Sequence, residues 1–229
     1  MKQAKSNDPP GTRRLRPKLA ASLILTRTRA GGEVELLLGR RSGGHVFMPR
    51  KYVFPGGRVD RGDGFAPLAT EPREPVRAVL TRAMSERRAR AAAAAALRET
   101  AEETGLLIAE PARMDSPKPA WRAFAEAGAA PAADALDVVA RAITPPGRPR
   151  RFDAWFFRTD VERVHGETEP VASEELDDLR WVSLDEAHGL DIPIITRFVL
   201  EELKRRTADP EAPVRCARVT RKGPRFDEI

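Results

Sequence analysis

One stretch of the sequence constrains the fold more than any other. Residues 91–97 are six alanines followed by a leucine, and RETAEET at residues 98–104 runs on to Gly105. Alanine, leucine, glutamate and arginine are strong helix formers, and glycine commonly follows the last residue of a helix. The pattern therefore predicts a helix over residues 91–104 that ends at Gly105.

This helix would have two chemically different sides. At about 100° per residue, three carboxylates fall on one side, namely those of Glu99, Glu102 and Glu103. The opposite side is apolar and would anchor the helix to a core through Ala94, Leu97 and Ala101.

The three carboxylates repel one another, since two unit charges 4 Å apart cost about 4 kcal/mol at an effective dielectric constant near 20. Such a cluster persists where it faces water or surrounds cations. Ligands that are all oxygen atoms favour Mg²⁺ or Mn²⁺ over zinc. Taken by itself, an ExxEE pattern is more often a solvated acidic surface than a metal site, so the neighbouring sequence has to decide.

Length and charge narrow the class of protein. The chain has 229 residues, which suits one large domain. Its net charge is +6, but residues 1–18 carry +5 and residues 204–229 carry +4, which leaves −3 on residues 19–203. A groove for a nucleic-acid backbone would need a basic body, so we expect no specific nucleic-acid partner. The lack of a long apolar run or signal peptide, together with a single cysteine, predicts a cytoplasmic protein with no membrane partner.

Strand and helix patterns alternate along the chain. Six apolar segments are typical of strands, the first two as a hairpin: residues 19–28, 33–41, 52–54, 106–108, 151–158 and 179–182. A Pro-Gly-Gly turn ends the third segment. Further helices are predicted over residues 192–206 and, as one or two short helices, within residues 117–142. Together these patterns predict an α+β fold in which helices cover a sheet.

The same patterns suggest the domain boundaries. Residues 1–17 resemble a disordered basic lead, residues 18–208 the folded domain, and residues 209–229 a C-terminal tail. Residues 64–90 look like an insertion in the domain, with prolines followed by a basic helical stretch.

The sequence RETAEETGL resembles the second half of the Nudix box, a motif with a glycine, five residues, a glutamate, seven residues and then REUXEEXGU, where U is a bulky aliphatic residue. The preceding VFPGGRVDRGD resembles its first half, with Gly57 as the box glycine and Asp63 in the place of the glutamate. Between Asp63 and Arg98 lie 34 residues instead of seven, and Thr100 stands at the first U position. The resemblance implies a Nudix-type α/β/α sandwich with a mixed sheet and an inserted segment between the two halves of the box.

A second stretch resembles one subgroup of the Nudix family. Residues 143–157, ITPPGRPRRFDAWFF, are similar to the TP…RRFDTxFF segment of the coenzyme A diphosphatase-like subgroup, with Ala154 in the place of the threonine. That subgroup also carries a long insertion inside the box. The likeness implies a small-molecule nucleotide substrate, coenzyme A or an acyl-coenzyme A, cleaved to 3′,5′-ADP and a phosphopantetheine.

The family resemblance also implies roles for individual residues. The metal ligands for Mg²⁺ or Mn²⁺ would be the Gly57 carbonyl and the carboxylates of Glu99, Glu102 and Glu103. Arg98 would orient the carboxylates, and Glu102 and Glu103 would help to activate a water. Glu175 would complete the site as an extra ligand or base, with Glu174, Glu167 and Glu169 as competitors for that role. Guanidinium groups suited to phosphate would come from Arg148, Arg150 and Arg151.

Several alternatives stay open at this point. The enzyme could instead act on other nucleotides or dinucleotides such as ADP-ribose, NADH or nucleoside triphosphates. The chain could also be a catalytically silent Nudix-fold module that binds a nucleotide, or a weak nucleic-acid binder that uses its basic ends. The insertion could cover the substrate or form a homodimer contact.

Overall fold

The computed structural model describes residues 15–44, 48–115, 117–220 and 223–229. Its strands are β1 (Lys18–Thr28), β2 (Val34–Arg41), β3 (Tyr52–Val53), β4 (Gly56–Arg58), β5 (Ala109–Pro111), β6 (Ala129–Pro131), β7 (Asp137–Ile143), β8 (Phe152–Asp160), β9 (Leu176–Ser183), β10 (Arg215–Thr220) and β11 (Gly223–Glu228). Its α-helices are α1 (Glu74–Thr81), α2 (Glu86–Thr104), α3 (Arg122–Glu126), α4 (Leu184–Gly189) and α5 (Ile194–Ala208). Short 3-10 helices cover Asp63–Phe65, Pro119–Trp121, Ala133–Ala135 and Val161–Arg163.

A mixed sheet forms the centre of the fold. Its strand order is β11-β10-β7-β8-β1-β2-β3, with β4 paired to β1 and β9 paired to β2. The β1–β8 and β10–β7 pairs are parallel, whereas β1 and β2 form the antiparallel pair expected of the predicted hairpin. Strands β5 and β6 form a small separate sheet.

Alternation along the strands gives the sheet two apolar faces. On β1, Leu23 and Leu25 pack into the cluster that contains α1 and α2, whereas Ile24 packs into the cluster that contains α4 and α5. On β8, Trp155 and Phe157 lie on the first face and Phe156 on the second. Because successive side chains of a strand point to opposite faces, the sheet is covered by helices on both sides. The predicted α+β sandwich of the Nudix type is thus confirmed.

The segment over residues 64–90 is packed into the domain. Helix α1 buries Val76 and Leu80 in the same core as α2, and the last residues of the segment are already the first turns of α2. A short turn over residues 82–85 separates the two helices. The segment therefore extends the helical layer on one face of the sheet.

Some predicted elements differ from the observed ones. Residues 137–143 form strand β7, although a helix was predicted within residues 117–142, because this segment pairs with β8 and β10 in the sheet. The predicted strand at residues 106–108 is shifted to β5, and Gly56 and Gly57, predicted to be a turn, form β4 against β1. Each of these differences comes from pairing with residues that are distant in sequence.

The sheet also continues beyond residue 208, where the folded domain was predicted to end. Strand β10 pairs with β7, β11 pairs with β10, and Phe226 of β11 stacks on Phe198 of α5 at a ring distance of 5.2 Å. The side chains of residues 219 and 220 are not described. Residues 1–17 were predicted to form a disordered lead. Residues 1–14 lie outside the described residues, so disorder there stays a prediction. No helix in the described ranges has the length and apolar character needed to cross a membrane.

We expect Leu80→Ala to lower the free energy of unfolding by about 2–5 kcal/mol, the usual cost of truncating a fully buried leucine. The matched control is Ile194→Ala, since Ile194 is 87% exposed and its truncation should change stability by less than about 0.5 kcal/mol. Urea denaturation of the two variants and the parent measures both effects. A loosely attached segment over residues 64–90 would instead make the two variants equally stable.

Candidate active site

Helix α2 carries the predicted carboxylates on the side that faces β4. The alanines over residues 91–96 and Leu97 are buried, and the helix ends where Gly105 adopts a left-handed conformation with φ 72°, as predicted. Thr100, which stands where the family pattern has an aliphatic residue, is buried with its hydroxyl donating to the Ala96 carbonyl at 2.8 Å. The apolar packing thus fixes the rotation of the helix and the direction of its acidic side.

A buried ion pair joins the two halves of the box. Arg98 donates from Nε to Asp63 Oδ1 at 2.9 Å and from Nη2 to Asp63 Oδ2 at 3.1 Å, and both side chains are almost fully buried. The Asp60 amide donates to Asp63 Oδ2 at 2.7 Å, and Arg98 Nη2 also donates to the Arg58 carbonyl at 3.2 Å. The shorter aspartate side chain still reaches the guanidinium, so the loop after β4 is held against α2.

The same guanidinium contacts two of the helix carboxylates. Arg98 lies 2.9 Å from Glu99 Oε1 and 2.8 Å from Glu102 Oε2. Burial lowers the pKa of Arg98. The hydrogen bond to Asp63 and the charges of Glu99, Asp63 and Glu102 raise this pKa by more, so that it lies well above its ordinary value. Arg98 is therefore placed to orient the carboxylates.

Glu99 packs against the backbone of the box glycine. A Cβ atom on Gly57 would lie 2.5 Å from the carboxyl carbon of Glu99, so a larger residue here would displace the Glu99 carboxylate. Burial raises the pKa of Glu99 to about 7; Arg98 acts in the opposite direction, and the charges of Glu102 and Glu175 add to the increase.

Glu103 is the most buried of the three carboxylates. Its side chain accepts a hydrogen bond from the Gly56 amide at 2.7 Å, and the residue is 6% exposed. Burial raises the pKa of Glu103 to about 8, the Gly56 amide lowers it, and the charges of Glu99 and Glu175 raise it. Glu102, by contrast, has an exposed side chain and points to Arg98.

The structure brings Glu175 to this group and adds Arg41, which the sequence analysis missed. The charge of Glu175 acts on Glu99, Glu103 and Arg41, and its carbonyl accepts from the Ser42 amide at 3.0 Å. Burial lowers the pKa of Arg41, and Glu103 and Glu175 raise it. The pair of arginines that ends the apolar strand VELLLGRR is the signal that could have identified Arg41.

The other candidates stand apart from the carboxylates. Among the competitors of Glu175, Glu169 lies 4.0 Å from Arg27, and within the described ranges no contact joins Glu174 or Glu167 to the carboxylates of α2. The predicted phosphate-binding residues lie in or next to the loop between β7 and β8: Arg148, Arg150 and Arg151. Arg151 donates to the carbonyls of Thr144 and Leu15. No contact within the described part of the chain connects this loop with α2.

The oxygen atoms at this site suit a hard divalent cation, although the carboxylates are not arranged to coordinate one. Among the described residues, no three His, Cys, Asp or Glu side chains are grouped to hold a metal ion. The carboxylates of Glu99 and Glu102 point to Arg98, and that of Glu103 points to Gly56. All candidate donors are nevertheless oxygen atoms, and burial, with the neighbouring carboxylates, raises the pKa values of Glu99 and Glu103, so nearby positive charge would favour their ionised forms. A divalent cation would supply that charge, so the residues present fit one.

Comparison with known proteins identifies the family. The NUDIX domain family model matches residues 86–201, which begin with α2 and make up just over half of the 229 residues. No curated protein matches the chain.

Solved structures with the same fold include a NUDIX hydrolase from Alicyclobacillus acidocaldarius, 27% identical, with a TM-score of 0.63, covering 81% of this chain and 90% of that chain. A C. elegans Ap4A hydrolase binary complex is 17% identical, with a TM-score of 0.45 and coverage of 83% and 98%. The NUDIX domain of Shewanella oneidensis NrtR, complexed with ADP ribose, is 13% identical, with a TM-score of 0.48 and coverage of 88% and 94%. Of these three, the first is similar enough to support an inference. Because the family model spans half of the chain and the fold is the one expected, this chain belongs to the Nudix family and is a Nudix hydrolase, an enzyme that cleaves diphosphate bonds.

Proposed function

We propose that the chain hydrolyses the diphosphate bond of a nucleoside diphosphate linked to another group, with coenzyme A or an acyl-coenzyme A as the favoured substrate. The observation that carries the proposal is the joined box, in which Arg98 holds Asp63 while Glu99 and Glu103 contact the two glycines of β4. The likeness of residues 143–157 to the coenzyme A diphosphatase-like subgroup supports the choice of substrate.

Mg²⁺ or Mn²⁺ would be held by Glu99, Glu102, Glu103 and the Gly57 carbonyl. Bound there, the ion would supply positive charge that stabilises the charge developing on the diphosphate and makes an attacking water more acidic. Arg98 positions Glu99 and Glu102 for this task through contacts of 2.9 and 2.8 Å.

The side chains around this position would accept the proton of the attacking water and stabilise the phosphate. A water oxygen forms the new bond to phosphorus while the bond to the bridging oxygen breaks, so two phosphomonoesters leave. We assign acceptance of the water proton to Glu103 or Glu175, whose charge contributes to the raised pKa of Glu103. Arg41, half-buried near both, lies where it can stabilise a negatively charged phosphate.

Glu103→Gln is expected to lower kcat by about 10²- to 10⁴-fold, the usual range for losing a group that takes part in proton transfer. The amide keeps an oxygen that can accept from the Gly56 amide, so the fold and the thermal midpoint should be retained. Steady-state kinetics compares the variant with Glu126→Gln, which removes an exposed carboxylate outside the site. Parent-like turnover by Glu103→Gln would contradict the assignment, and inactivity of the parent on every nucleotide would favour a silent binding module.

Binding of Mn²⁺ is expected to release protons near neutral pH. The pKa values of Glu99 and Glu103 are about 7 and about 8, so below these values the metal-free side chains hold protons that the cation must displace. The affinity should therefore rise with pH through this range and level off above it.

Calorimetric titration of Mn²⁺ in two buffers with different ionisation enthalpies gives the number of protons released at pH 6.5 and pH 9. Release should be clear at the lower pH and nearly absent at the higher one. Glu103→Gln should release fewer protons than Glu126→Gln, and equal release at both pH values by the parent would contradict the linkage.

Coenzyme A should be hydrolysed with a higher kcat/KM than NADH, ADP-ribose or nucleoside triphosphates, and the products should be 3′,5′-ADP and phosphopantetheine. Product chromatography with each substrate measures this preference. If Arg148 and Arg150 bind substrate phosphates, Arg150→Ala should raise KM by about tenfold, the effect of losing one charge-assisted hydrogen bond. Arg122→Ala, on an exposed residue of α3, is the control. If coenzyme A is not preferred, the proposed substrate is wrong, whereas the proposed hydrolysis of a diphosphate bond is retained.

A further inference from the structure

A surface cavity lies on the segment over residues 64–90, away from the carboxylates of α2. Its volume is about 270 Å³, and it opens between α1 and the first turns of α2. Three arginines, two glutamates and a proline line it, namely Arg77, Arg87, Arg90, Glu71, Glu86 and Pro72. The lining residues carry a net charge of +1, in a segment with six arginines and three glutamates.

One arginine and one glutamate form the fixed wall of the cavity. Arg90 Nε lies 2.9 Å from both carboxylate oxygens of Glu71, and its two remaining nitrogens donate to the Gly64 and Ala66 carbonyls at 3.2 and 2.9 Å. These contacts engage all three nitrogen atoms of the Arg90 guanidinium, and its positive charge neutralises the Glu71 carboxylate. They also hold the segment that follows Asp63 against α2.

The other two arginines are exposed, and their guanidinium groups have no close partner among the described residues. Arg77 is 3.6 Å from both Glu74 and Glu86, which is longer than a good hydrogen bond. The guanidinium of Arg87 has no ion pair or hydrogen bond with any residue in the described ranges. The cavity therefore presents two guanidinium groups with free N–H donors and only one weakly engaged carboxylate, that of Glu86.

We propose that this cavity binds a phosphate or diphosphate group through Arg77 and Arg87. Guanidinium groups bind phosphate oxygens through paired, charge-assisted hydrogen bonds, and two of them can hold a multiply charged anion between them. The volume lies just below the roughly 300–1,000 Å³ typical of pockets for drug-sized molecules, so it suits a small anion or the phosphate end of a nucleotide better than a whole dinucleotide.

This anion site is separate from the proposed centre of hydrolysis. Arg90 precedes Arg98 by eight residues on the same helix, a distance of about 12 Å at 1.5 Å per residue. The proposal does not depend on the identity of the hydrolysed substrate, since its residues contact neither Glu99 nor Glu103 within the described part of the chain.

The test is calorimetric titration of the full chain with inorganic diphosphate in EDTA, where cation-dependent binding at the carboxylates is suppressed. The parent is expected to bind one equivalent. Arg87→Ala and Arg77→Ala should each weaken binding by about tenfold. Arg88→Ala is the matched control, because Arg88 is exposed on the same helix but does not line the cavity.

A variant that binds diphosphate more tightly than the parent distinguishes this proposal from a general loss of structure, which would only weaken binding. Glu86→Gln removes the cavity-lining carboxylate beside Arg77 and should tighten diphosphate binding severalfold while circular dichroism stays unchanged. A parallel titration with ADP tells the sources apart: tighter binding of ADP assigns the phosphate end of a nucleotide, and tighter binding of diphosphate assigns the free anion. Absence of binding by the parent, or equal binding by the parent, Arg87→Ala and Arg88→Ala, would overturn the proposal.

Discussion

The buried pair of Arg98 and Asp63 is the interaction on which the site depends. Removing one partner of such a pair leaves an uncompensated buried charge and typically costs about 3–5 kcal/mol. The pair fixes the loop after β4 against α2, while pairing with β1 positions Gly56 and Gly57 of β4. Together these contacts set Gly57 against Glu99 and the Gly56 amide against Glu103.

The same arginine explains the unusual electrostatics of the pocket. Its single positive charge is shared among Asp63, Glu99 and Glu102. Glu103 and Glu175 bring further negative charge, which the Gly56 amide and Arg41 oppose at Glu103. The excess of buried negative charge adds to desolvation in raising the pKa values of Glu99 and Glu103. Carboxylates that resist ionisation in the free protein can ionise fully once a cation arrives, and this makes cation binding and proton release one process.

What the sequence predicted well was set by local patterns. The end of α2 at Gly105, the β1–β2 hairpin and the buried run in β8 follow from helix propensity, a glycine turn and apolar alternation. What it missed depends on distant partners: β7 is a strand because β8 and β10 flank it, and β10 and β11 extend a sheet whose other strands lie far away in sequence. Arg41 belongs to the same class, because only the pairing of β2 with β9 brings it to Glu175.

The long segment between Asp63 and Arg98 does not pull the site apart, and the reason is quantitative. Lengthening a closed loop adds only about 0.6 kcal/mol per doubling, so a linker of 34 residues costs on the order of 1 kcal/mol more than one of seven or eight. Helix α1 buries Val76 and Leu80, each worth about 1.5–3 kcal/mol when removed from water. The segment thus stabilises itself on the face of α2 away from the carboxylates, and Arg90 holds the residues just after Asp63 in place. Apolar burial and the Arg98–Asp63 pair together allow residues distant in sequence to act as one short motif in space.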